Sequence, residues 1–82
     1  MKKTRQAAAR NVVGDRVRQA RLRANPPVSQ EDLAGRLAAA GVSLDQAGLS
    51  RVERGERYVL DYEAQAIARA LRVSVAWLFG EK

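Results

Sequence analysis

The chain has 82 residues and a net charge of +6, from 15 basic and nine acidic side chains, and 46% of it is hydrophobic. That length suits one domain whose core buries about 60–65% of the unfolded surface, with little room for a deep catalytic cleft. There is no Cys and no His, which excludes disulfides, thiol chemistry, imidazole bases and the usual zinc ligands, and no cofactor is implied. No apolar run approaches the length of a membrane span, and MKKTRQAAARN lacks the apolar centre of a secretory signal. Cytoplasmic residence is the expectation.

Charge is concentrated at the start. The first 23 residues carry eight basic groups against Asp15 alone, a net +7, whereas the other 59 carry −1. Residues 1–10 read as a basic arm and 11–82 as the domain. Two readings stand for the arm. Lys2, Lys3 and Arg5 could lie along phosphates or enter a minor groove, or the segment could be a disordered, solubilising tail. Membrane attachment fits poorly, because Ala7, Ala8 and Ala9 offer little apolar area opposite the cations.

A first helix is predicted over about Val12–Ala24, with Val13, Val17, Ala20 and Ala24 at helical spacing. Asn25, Pro26 and Pro27 stop it. Ser29, followed by Glu31 and Asp32, marks a second helix start, with a hydroxyl for the free N–H groups and acids at the positive end of the dipole. Leu33 and Leu37 share one side of that helix. Ala34 lies beside them, small enough for another helix to cross closely. Gly41 suits the left-handed position past its end, with Val42 placed to contact Leu37 in a Schellman closure.

Asp45 is the expected cap of a third helix, Gln46 to about Arg54, stopped by Gly55. At about 100° per residue, Leu49 and Val52 point one way while Ala47, Ser50, Arg51 and Arg54 share the opposite face. That outward set has base-reading chemistry. Arg can donate twice to guanine, Gln46 can pair with adenine, the Ala47 methyl can meet a thymine methyl, and Ser50 can serve either groove edge. Ser29 and Gln30 stand at a helix start, where free N–H groups attract an anion such as a phosphate. Gly48 lowers helix propensity by up to about 1 kcal/mol, softened by its place in the first turn. The segment Glu56–Leu60 is a loop. A fourth helix starts at Asp61 with Ile67 and Leu71 inside, and Ser74 caps a short last helix carrying Val75, Trp77, Leu78 and Phe79.

SQEDLA together with LSRVERG resembles the helix-turn-helix domains of the phage-repressor-like family, the XRE or Cro/C1 type. VGDRVRQARLR is similar to the family's first helix and LDYEAQAIARALRVSVAWLF to its two closing helices, so the resemblance runs from about Val13 to Phe79. It implies an all-α, five-helix fold whose third helix reads DNA, with Arg57 and Tyr58 in the exit loop bonding phosphate oxygens. It also implies that Arg21 and Glu53 pair across the first and third helices. Leu33 and Leu49 lie 16 positions apart, more than in the shortest members, which reads as a longer second helix and turn.

The expected function is therefore sequence-specific binding of duplex DNA by a dimeric regulator, with Gln46, Ala47, Ser50, Arg51 and Arg54 reading bases. The alternative is a protein-interaction module such as the antitoxin of a toxin–antitoxin pair, its partner seated on the C-terminal helix. No small-molecule ligand is evident. Asp45, Glu53 and Glu56 do not converge as an acid–base site, so an enzyme is not expected. Val75, Trp77 and Phe79 are read as a dimer interface, against the competing reading that Trp77 folds back as a lid on the core.

Overall fold

In the computed structural model, which describes residues 9–82, the first helix begins where Asn11 lets it. The Asn11 side-chain oxygen accepts from the Val13 and Gly14 N–H groups at 3.0 and 2.8 Å. Helix α1 spans Gly14–Arg23, just past this turn and two residues later than the apolar spacing predicts, and Val12 is left exposed. Helix α2 spans Gln30–Ala39, with Ser29 Oγ accepting from Asp32 N at 2.9 Å. It ends in the expected Schellman closure: Gly41 takes a φ of 85°, and Val42 N donates to Leu37 O at 2.8 Å.

Helix α3 spans Gln46–Glu53, and Asp45 Oδ1 accepts from Gly48 N at 2.8 Å. Arg54 is its C-cap, Gly55 follows at a φ of 75°, and Glu56 N closes back on Arg51 O at 2.8 Å. Helix α4, Asp61–Leu71, starts with the Glu63 carboxylate accepting from Leu60 N at 3.0 Å. Ser74 Oγ accepts from Trp77 N at 2.9 Å and opens α5, Val75–Leu78. Among the described residues there are five helices and no strand. None is long and apolar enough to cross a membrane.

The core is built from one stripe per helix: Val13 and Val17 from α1 and its entry, Leu33 and Leu37 from α2, Leu49 and Val52 from α3, Ile67 from α4 and Leu78 from α5. Helix α3 lies against α1 and α2, α2 also packs on α4, and α5 closes over α4 and α1. The α1–α3 crossing is tight because of Gly14. A Cβ there would collide with the Val52 carbonyl oxygen and come within 3.0 Å of that of Glu53. Close approach was expected at Ala34. That residue is only half-buried at the edge of the core, and the position that admits no side chain is Gly14. Gly48 also has a steric reason: a Cβ would sit 2.8 Å from Leu44 Cδ1, inside the turn that aims α3.

Candidate nucleic-acid interface

Burying Leu49 and Val52 turns the opposite side of α3 outward. Gln46, Ala47, Arg51 and Arg54 are exposed, and Ser50 is half-buried beside them. A helix that presents such a face is useful for recognition only if its rotation and tilt are fixed, and a polar chain that starts at an enclosed ion pair and ends at the surface ties both ends of α3 to its neighbours. Arg21 donates from Nε and Nη2 to the two carboxylate oxygens of Glu53 at 2.7 and 2.8 Å, and from Nη1 to Val28 O at 2.9 Å. Gln30 Nε2 donates to Glu53 Oε1 at 3.1 Å, and Gln46 Nε2 donates to Gln30 Oε1 at 2.7 Å.

The chain of contacts runs from α1, through the last residue of α3 and the first of α2, back to the first residue of α3. Hydrogen bonding to Glu53 outweighs burial and holds the Arg21 guanidinium above its ordinary pKa. No buried side-chain nitrogen or oxygen among the described residues lacks a partner. A charge pair that is this enclosed adds little net stability, whereas removing one member strands the other as a buried charge.

The rest of the outward face is also internally connected. Arg54 donates from Nη1 to Ser50 Oγ, and its Nη2 lies 3.2 Å from Glu56 Oε1. Arg57, expected to face phosphate, grips Glu63 with both terminal nitrogens and donates to Tyr58 O at 2.8 Å. Its side chain is only 28% exposed, so the more open member of the loop pair is Tyr58. Arg10 lies over the Tyr58 ring, 5.4 Å from its centroid. The Ser29 hydroxyl serves as the α2 cap and Gln30 bridges Glu53 and Gln46, leaving the remaining N–H groups at the start of α2 beside that network. Lys2, Lys3 and Arg5 lie outside the described residues.

Asn11 was not singled out from the sequence. Besides accepting from the N–H groups that open α1, its side chain donates from Nδ2 to Val52 O at 3.1 Å and to Arg57 O at 2.8 Å, and Arg10 N donates to Gly55 O at 2.8 Å. The entry to α1 is thereby stitched to the exit of α3. An Asn just ahead of an apolar helical stripe is a capping signal, but its second use depends on residues more than 40 positions away.

At the other end, Trp77 does not stand on an exposed patch. It is half-buried against the core, with the Arg16 guanidinium 4.4 Å above its ring and Arg16 Nη1 donating to Trp77 O at 3.0 Å. This matches the lid reading. Leu78, expected to share the side of Val75 and Phe79, is fully buried, and of these three only Val75 and Phe79 are exposed.

The family model described as Helix-turn-helix matches residues 17–78, three-quarters of the chain and all of α2 to α5. The chain therefore belongs to the Cro/C1-type helix-turn-helix family, and its domain is that of a DNA-binding regulator of the XRE type. No curated protein and no solved structure matches it.

Proposed function

We propose that this chain binds a specific duplex DNA sequence with α3 in the major groove, as a dimeric transcriptional repressor or related regulator. The observation that carries the reading is the exposed set Gln46, Ala47, Arg51 and Arg54 on a helix whose two ends are braced by the Arg21–Glu53–Gln30–Gln46 chain. Base contacts would come from that set together with Ser50. Register on the duplex would come from the start of α2 at Ser29 and Gln30, from Tyr58 with Arg57 behind it, and from the basic arm of residues 1–10 ahead of the 11–82 domain. Arg10, fixed beside the exit of α3, supports a place for that arm next to the DNA.

The exposed pair Val75 and Phe79, one helical turn apart, supports pairing of two copies through α5. Two recognition helices would then address half-sites about 34 Å apart. The same apolar pair favours the second reading, in which α5 seats a different protein, as an antitoxin seats its toxin. Selection of bound fragments from random duplex DNA tests the proposal. A consensus with two-fold symmetry is expected; no enrichment would overturn DNA recognition and leave the protein-partner reading.

A further inference from the structure

We propose that Glu56 is a specificity-determining residue, which restrains Arg54 and weakens attraction to the DNA backbone so that base contacts decide the site; this rests on the DNA-binding reading of α3. Three acids lie between positions 45 and 60. Asp45 caps α3, and Glu53 is enclosed with Arg21 and Gln30. Asp45 is exposed at the start of α3, whereas Glu56 places its carboxylate at the other end of the reading face, 54% exposed and 3.2 Å from Arg54 Nη2.

Its position is set by the backbone. Gly55 takes the left-handed turn and Glu56 N is bonded to Arg51 O at 2.8 Å, which holds the carboxylate beside the end of the reading face. An ion pair this exposed contributes almost nothing to folding. Its consequence falls on an approaching ligand.

Arg54 has five N–H donors in a planar fork, of which one is given to Ser50, while Nη2 stands in an ion pair with Glu56. The remaining donors can still reach a neutral acceptor such as guanine O6 or N7 while the pair stays intact. A phosphate meets a different surface: it competes with the carboxylate for the same guanidinium charge and is repelled by it. The pair therefore penalises backbone contacts, which every sequence offers, more than base contacts, which only the correct sequence offers.

Glu56→Gln keeps the shape and removes the charge. Binding of the variant and the wild type to the selected duplex and to a scrambled duplex of equal length is measured by anisotropy at several salt concentrations. The substitution is expected to tighten the scrambled duplex by about threefold or more, to tighten the selected one less, and to steepen the salt dependence by about one counterion. In an Arg54→Ala background the same substitution should leave the ratio of the two affinities unchanged. Equal tightening on both duplexes, no tightening, or an unchanged effect without Arg54 would overturn the assignment. A wild type that binds neither duplex overturns the DNA reading itself. Circular dichroism melts confirm that each variant is folded, as substitution at these exposed positions allows.

Discussion

Arg57 closes both terminal nitrogens of its guanidinium on the Glu63 carboxylate, at 2.9 and 3.2 Å. Because Glu63 Oε1 also accepts from Leu60 N, the loop leaving α3 is fastened to the first turn of α4, and Tyr58 is carried at the surface of a fixed loop.

Acid should loosen that fastening. The hydrogen bond from Arg57 outweighs burial and, helped by the Leu60 N–H and the positive charge, holds the Glu63 carboxyl below its ordinary value of 4.5. A carboxyl with a lower pKa in the folded state contributes stability that is complete above the unfolded value and is lost as the pH falls through the folded one. Urea midpoints should therefore drop between about pH 5 and pH 3, and the drop should be shallower in Glu63→Gln. Arg57→Ala, which strands the buried carboxylate, should cost about 1–3 kcal/mol at neutral pH. Parallel acid limbs for wild type and Glu63→Gln would contradict the account.

Arg21 and Glu53 should be strongly coupled. Single truncations leave an enclosed charge without its partner and should each cost about 3–5 kcal/mol, whereas the double variant should cost less than their sum by about 1 kcal/mol or more. Urea melts of the four proteins measure this. Should a truncation unfold the domain, Arg21→Lys and Glu53→Gln complete the cycle at smaller cost, and strict additivity in either set would rule out the pair.

Two glycine-to-alanine changes should act in opposite directions. Gly14→Ala forces a methyl onto the α3 backbone and should destabilise by about 1–3 kcal/mol. Gly35→Ala, at an exposed position inside α2 with no atom within 4 Å of the added Cβ, should stabilise by about 0.5–1 kcal/mol. A Gly14→Ala melt at or above that of the wild type would show that the α1–α3 crossing is looser than described, and a Gly35→Ala melt below it would contradict the open space at that position.

These contrasts mark what was legible in the chain. Ser29, Asp45, Gly41, Gly55 and Ser74 act on groups a few residues away, so their letters alone place the helix ends. Leu49 and Val52 against Arg51 and Arg54 needed only a helical period. Arg21 with Glu53 came from resemblance, because nothing local joins positions 32 apart. Asn11, Gly14 and the Arg57–Glu63 grip were missed for the same reason: each acts where two distant segments touch. Trp77 escaped because a four-residue helix is too short for a period to tell inside from outside.

Base reading and phosphate contact should separate by mutation. Arg51→Ala should lose about 1–3 kcal/mol on the selected duplex and relax preference at one base pair. Tyr58→Phe should weaken all duplexes alike. Uniform and equal losses from both variants would make Arg51 a phosphate contact.

Self-association should depend on the exposed ridge rather than on the half-buried indole. Sedimentation of wild type, Phe79→Ala and Val75→Ala, with and without DNA, should show a dimer that weakens in both variants. A monomer under all conditions, or a dimer indifferent to both changes, would remove α5 as the interface.

Trp77 is the only tryptophan in the sequence, and it sits where α5 meets α1 beneath the Arg16 guanidinium. Its fluorescence is therefore an intrinsic gauge of that joint and not of the outward face of α3. Unfolding of the unlabelled protein can be followed by emission while a labelled duplex reports occupancy in the same cuvette, so that a variant which fails to bind is distinguished at once from one which fails to fold.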